Sequence, residues 1–93
     1  MAGEMFYLRN DQTALITPDA LRVRFRQSSF PVEMETRSGE WFLTVANDVE
    51  MALTLNSGFV ESIAVQAKFV GKGSRIRRVC ELLETMGWVP AGT

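Results

Sequence analysis

The middle of the chain alternates apolar and polar residues with the period of a β-strand. Four such runs are separated by short segments rich in Ser, Asn, Asp and Gly, which favour tight turns between antiparallel strands. In the last run, Phe59 is predicted to share a face with Ile63 and Val65. In chain order, the runs and turns are Val32 to Arg37, Ser38-Gly39, Trp41 to Ala46, Asn47-Asp48, Met51 to Leu55, Asn56-Ser57-Gly58 and Phe59 to Phe69. The pattern predicts a four-stranded antiparallel meander.

Two shorter elements are predicted before the meander. Residues 5 to 8, Met-Phe-Tyr-Leu, form an apolar run that ends in polar turn residues, which indicates an edge strand. Thr17, Pro18 and Asp19 then combine an N-cap hydroxyl, a proline at the first helical position and an acid in the first turn. This combination is typical of the start of a helix.

Residues 18–27 fit two kinds of secondary structure. Apolar residues alternate with arginines, as in a strand, yet Leu21 and Phe25 are also four apart, as on one side of a helix. We favour the helix because Thr17 is a good N-cap and Pro31 marks a natural boundary before the next strand. A strand would instead place the three arginines of this segment on one face: Arg22, Arg24 and Arg26.

An apolar stripe between residues 74 and 86 predicts a second helix. Ser74 can cap its N-terminus, and Gly87 fits the left-handed position just past its end. Trp88 can make the accompanying apolar contact, and Pro90 prevents the helix from continuing. No element is predicted after this helix. The stripe consists of Ile76, Val79, Cys80, Leu83 and Met86.

Together the elements predict an α+β fold in one domain that spans residues 1–93, in the order β-α-β-β-β-β-α. We expect an antiparallel sheet of four to five strands, with both helices packed on one face and the other face partly exposed to water. Since 46% of the 93 residues are hydrophobic, the chain can form one core without a disulfide or a metal ion.

The composition and charge of the chain indicate the cellular compartment in which we expect the protein. Ten basic and eleven acidic residues give a net charge of −1, so no overall field directs the protein to nucleic acid or to a membrane. Cys80 is the single cysteine, which excludes an intramolecular disulfide and favours a reducing compartment. The first residues lack the apolar segment of a signal peptide, and no apolar run approaches the roughly twenty residues of a membrane span. We therefore expect a cytoplasmic protein without membrane contact.

The side chains of a conventional active site are missing from the sequence. Histidine, the commonest general base and metal ligand, is absent. Cys80 falls in an apolar stripe, where a thiol has a raised pKa and acts as a small hydrophobic group. Glu33 and Glu35 share a strand face and are expected to be its solvent side. We predict no catalytic residues, cofactor or metal; a small enzyme would need Glu61, Glu81 or Tyr7 in a concave site beside arginines.

A basic segment from Lys68 to Arg78 is the strongest candidate for a binding site. It holds five cations and no acid, and its arginines lie at a helix N-terminus, where the helix dipole disfavours them. A bound anion or partner would explain why arginines occupy this helix N-terminus. The alternative is an ordinary solvated helix start. The candidate anion- or partner-binding residues are Lys72, Gly73, Ser74, Arg75 and Arg78. Arg22, Arg24 and Arg26 form a second basic cluster.

Apolar residues on both faces of the predicted strands suggest an interaction surface. Phe42 lies opposite Trp41 in its strand, so one of the two must point away from the core; with Leu53 or Leu55 it would form a patch that needs a cover. We therefore predict a non-catalytic interaction module that binds a protein partner or a second copy through the sheet face and the basic helix start. The alternative is a nucleic-acid-binding domain that contacts phosphates through Lys68 to Arg78 and the second basic cluster.

Overall fold

The computed structural model describes residues 4–11, 13–45, 48–67 and 74–91. It confirms the α+β class and adds one strand at the C-terminal end. In chain order, the described elements are β1 (Glu4–Leu8), α1 (Pro18–Gln27), β2 (Val32–Arg37), β3 (Glu40–Val45), β4 (Val49–Asn56), β5 (Phe59–Ala67), α2 (Ser74–Thr85) and β6 (Val89–Ala91).

The strands form one antiparallel sheet in the order β2-β3-β4-β5-β1-β6. The meander from β2 to β5 is as predicted. The prediction of β1 as an edge strand is wrong, because β1 lies between β5 and β6, with Leu8 opposite Val89 and Phe6 opposite Ala91. The expected four to five strands become six for the same reason. A three-residue strand that contains Pro90 is too short to show alternation in the sequence.

Residues 18–27 are helical, as favoured. The Thr17 side chain accepts a hydrogen bond from the Ala20 N–H at 3.2 Å, and Pro18 occupies the first turn. At the other end Ser29 has a φ of 67°, and the Phe30 N–H donates to the Phe25 carbonyl at 3.0 Å. This pattern is a Schellman motif, which satisfies a terminal carbonyl of the helix and packs the Phe30 ring on Phe25.

The second helix also ends in a Schellman motif. The Trp88 N–H donates to the Leu83 carbonyl and the Gly87 N–H donates to the Glu84 carbonyl, each at 3.1 Å. Trp88 is buried, as its predicted apolar contact requires. This arrangement confirms the end predicted for the helix and turns the chain into β6.

Two strand connections are tight turns at the predicted positions. Ser38 and Gly39 both have positive φ, and so do Ser57 and Gly58. Two consecutive residues with positive φ define a type I′ turn, whose twist matches that of the flanking strands. The glycine at the second position adopts this conformation without the steric cost that a side chain brings.

The hydrophobic core lies on one face of the sheet, and both helices cover that face. Buried side chains of the strands join Leu21 and Phe25 of α1 and Val79 and Leu83 of α2 in a single cluster. One prediction fails at the start of β5. An irregularity in the pairing beside Thr54 interrupts the alternation, so that Val60 is fully buried while Phe59 is only half-buried.

Candidate interaction surface

The sheet face opposite the helices, called the outer face here, is not covered by either described helix. Strand registers assign its residues, because side chains that alternate with the core positions point to the other side. From β2 across to β6, the described side chains of the outer face are Glu33, Glu35, Arg37, Glu40, Phe42, Thr44, Glu50, Ala52, Thr54, Ser62, Ala64, Gln66, Phe6, Leu8, Val89 and Ala91.

One half of the outer face is apolar and exposed. Phe6 is 49% exposed, Leu8 47% and Val89 42%. Leu8 and Val89 are directly opposite each other on β1 and β6, and Phe6 lies opposite the small side chain of Ala64 on β5. These four residues form the apolar patch. Because the side chains beside Phe6 are small, the patch is open to a flat partner surface.

The other half of the outer face is acidic. Glu33, Glu35 and Glu40 are exposed on β2 and β3, as expected for the first two. Arg37 pairs with the buried Glu50 at 2.7 Å and with Glu35 at 3.6 Å, and it lies 3.9 Å above the centre of the Phe42 ring. Among the described side chains of the face, this guanidinium is the one cation and it is already paired. The acidic half therefore keeps a surplus of negative charge.

The arginines of α1 do not form one cluster. Residues of a helix rotate by about 100° each, so Arg22 and Arg26 lie on one side of α1 and Arg24 lies on the opposite side. Arg22 pairs with Asp19 in the preceding turn. The helix therefore divides the second basic cluster of the sequence prediction between two sides of α1.

The basic helix start is only partly described. Lys72 and Gly73 lie outside the described residues, and so does the side chain of Ser74, the first residue of α2. Arg75 donates to Asp48 Oδ2 at 2.6 Å, and Arg78 lies 5.4 Å from the centre of the Phe30 ring. Arg75 thus fixes α2 to the turn after β3. Anion binding by this segment stays a prediction.

A buried polar contact joins β1 to α2. The Tyr7 hydroxyl donates to Glu84 Oε2 at 2.9 Å. Burial, together with the neighbouring Cys80 and Glu84, raises the pKa of Tyr7 well above its usual range. Burial also raises the pKa of the Cys80 thiol, as predicted from the apolar stripe. Tyr7 is fully buried.

The described residues show no constellation for metal chemistry, since no three carboxylate or thiol groups among them lie close enough to share an ion. Glu61 does lie beside an arginine, Arg9, in a surface depression of about 340 Å³. Glu81 is exposed on α2. Of the three residues named for a small enzyme, Glu61 is therefore the one placed in a described concave site beside an arginine, and the small-enzyme alternative stays a prediction.

Sequence reasoning placed the exposed patch on the wrong strands. Leu53 is buried on the covered face, and Leu55 is half-buried against the core. Phe42 does point outward, but Arg37 covers it. The available signal was the unbroken apolar run of β1, in which both faces are hydrophobic. Since the helices cover one face, that run must expose residues on the other.

Comparison of the chain with protein-family models, with curated proteins and with solved structures found no match in any of the three. No helix in the described part of the chain is long and apolar enough to cross a membrane. The function is therefore inferred from the surfaces of the molecule.

Proposed function

We propose that this chain is a non-catalytic protein-interaction module that binds a partner protein with its outer face. The apolar patch is the observation that supports this function most strongly. Phe6, Leu8 and Val89 are large apolar side chains on adjacent strands, each exposed by more than two-fifths. A group of this kind on a protein surface is typical of a binding site. The single cysteine fits a cytoplasmic setting for this binding.

The charge of the outer face indicates what kind of partner it binds. Its acidic half carries Glu33, Glu35 and Glu40 at the opposite end of the face from the patch, and its Arg37 is already paired with Glu50 and Glu35. Complementary charge raises the rate of association and selects the orientation of a complex. The partner we propose presents apolar side chains at one end of its contact surface and lysines or arginines at the other.

The size of the outer face favours such a partner over a second copy of this chain. The outer face spans six strands about 4.8 Å apart, or roughly 24 Å, so we expect a standard interface of about 800 Å² per partner to extend across the whole face. In a symmetric pair, the acidic half would meet either the other acidic half or the apolar patch. Both arrangements place carboxylates in an unfavourable environment.

Site-specific photocrosslinking tests the proposal in cells that produce the protein. The crosslinker p-benzoylphenylalanine replaces Phe6 in one variant and Val23, an exposed apolar residue of α1, in the control. We expect a defined polypeptide adduct from the first position only. A sole adduct with this chain itself would instead show self-association, and nucleic-acid adducts at Val23 would favour the nucleic-acid alternative. Either result contradicts the proposal.

Affinity for the purified partner then tests the surface itself. Leu8→Glu should weaken binding by about tenfold or more, because an apolar side chain that the complex buries becomes a carboxylate that loses its hydration in an apolar contact. Val23→Glu, on the other side of the molecule, should change the dissociation constant by less than about twofold. Circular dichroism establishes that both variants are folded. Equal effects of the two substitutions would refute the assignment of the outer face.

A further inference from the structure

A small pocket lies on the helix side of the molecule, away from the outer face. Its walls come from the segment before α1, from α1 itself and from the turn after α2. Its volume is about 190 Å³, comparable to the roughly 150 Å³ apolar cavity that accommodates one benzene molecule. The lining residues are Ala14, Ile16, Arg24, Met86 and Trp88.

Hydrogen bonds from the surrounding backbone hold these walls in place. The buried Thr13 hydroxyl donates to the Gly87 carbonyl at 2.7 Å, which fixes the segment before α1 to the turn after α2. The Ile16 carbonyl accepts from the Val60 N–H at 2.8 Å. Because both ends of the segment are bound, the pocket is formed without a ligand, which lowers the entropic cost of binding.

The chemistry of the lining combines an apolar surface with one cation. Ile16, Met86 and Trp88 provide the apolar part, and Arg24 provides the charge. No described carboxylate lies within ion-pair distance of Arg24. The described lining therefore provides one cation and no anion.

Two other surface depressions have a different chemistry. Both include Arg9 and Glu61 in their linings, so opposite charges are already present together. An anionic ligand would meet the Glu61 carboxylate there. The pocket beside Arg24 is the one whose described residues favour a negative group next to an apolar one.

We propose that the pocket beside Arg24 binds a small apolar carboxylate, with the apolar group against Ile16, Met86 and Trp88 and the carboxylate on Arg24. Such a group occurs in short-chain carboxylic acids and at the C-terminal residue of a peptide. An arginine binds a carboxylate through two parallel hydrogen bonds, so the amide of the same compound should bind much more weakly. This proposal does not depend on the outer face.

Titration of the full chain, followed by ¹H–¹⁵N NMR, tests the pocket with three compounds. Hexanoate represents a free acid, N-acetyl-leucine represents a peptide C-terminus, and N-acetyl-leucine amide is the neutral control. We expect at least one acid to shift the Trp88 Nε1–H resonance saturably, with a dissociation constant on the order of millimolar. The stronger acid identifies the source of the ligand. No saturable shift with either acid, or equal binding of the amide, would overturn the proposal.

Matched arginine variants separate the pocket from general charge effects. Arg24→Gln should weaken binding of the acid by about tenfold, whereas Arg26→Gln, on the other side of α1, should leave it within about twofold. Ala14→Phe places a ring in the lining and should abolish the shift of the Trp88 indole resonance. Equal affinity of the two arginine variants would refute the role of Arg24.

Discussion

Phe6 and Tyr7 are neighbours in β1, yet they experience opposite environments. Tyr7 is fully buried beneath α2, and its hydroxyl donates to Glu84; Phe6 is half-exposed on the outer face. The difference lies in the position of the helices, which both pack on the side of Tyr7. It shows that one face of this sheet supplies stability and that the other retains apolar residues that the fold itself does not bury.

Substitution of these two neighbours should give the largest contrast. Tyr7→Ala removes a ring from the core and should lower the free energy of unfolding by about 3–5 kcal/mol. Phe6→Ala should lower it by about 1 kcal/mol or less, since half of its ring is exposed in the folded state. Urea denaturation measures both. Equal losses would mean that the outer face is covered in the protein, contrary to the structure.

Alkaline pH should lower the free energy of unfolding through two groups on the covered face, Tyr7 and Cys80. The pKa values of Tyr7 and Cys80 are raised in the folded protein, so the unfolded chain loses these protons first, near pH 8.5 for the thiol and about pH 10 for the phenol. Their contribution to stability is complete below these values and decreases as the pH rises above them. Urea denaturation between about pH 7 and 11 measures the decline.

Two conservative variants separate the contributions of Cys80 and Tyr7 to this loss of stability at alkaline pH. Cys80→Ala should remove the part that begins near the thiol pKa, and Tyr7→Phe should remove the part at higher pH. Tyr7→Phe also loses the hydrogen bond to Glu84, at a cost of about 1 kcal/mol near neutral pH. A difference from the wild-type protein that does not change with pH would contradict the raised pKa values.

The smallest effect on the free energy of unfolding is expected in the acidic half of the outer face. Arg37→Gln removes the ion pair to Glu50 and the stacking on Phe42, and should lower the free energy of unfolding by about 1 kcal/mol, since Arg37 is half-exposed. Arg22→Gln is the control, because its partner Asp19 is more exposed, and it should cost roughly 0.3 kcal/mol. Urea denaturation gives both values, and indistinguishable losses would show that Arg37 does not stabilise this face.

The local signals in the sequence were sufficient for the secondary structure of both helices. The N-cap at Thr17 and the glycine after α2 are decided within one or two turns of chain, and the structure contains both. The meander was predictable for the same reason, because Ser38-Gly39 and Ser57-Gly58 fix the strand connections locally. Alternation failed at the start of β5, where an irregular pairing buries Val60 instead of Phe59.

The candidate surface depended on contacts between distant parts of the chain. Nothing near Leu8 or Val89 in sequence indicates that these residues are opposite each other, since β1 and β6 are the first and last described elements of the chain. The pocket likewise joins residues before α1 to the turn after α2. Neither site could be predicted from periodicity, because periodicity only relates residues within one helix or strand.

The sequence by itself determined the fold class, the two helices, the hairpin turns and the absence of histidine from any site. Each of these follows from residues close together in the chain or from composition alone. The tertiary structure decided the position of β1 within the sheet and the exposure of Phe6 beside the buried Tyr7. The physical reason is that exposure depends on what packs against a face, and the helices that cover this sheet bind only one side of it.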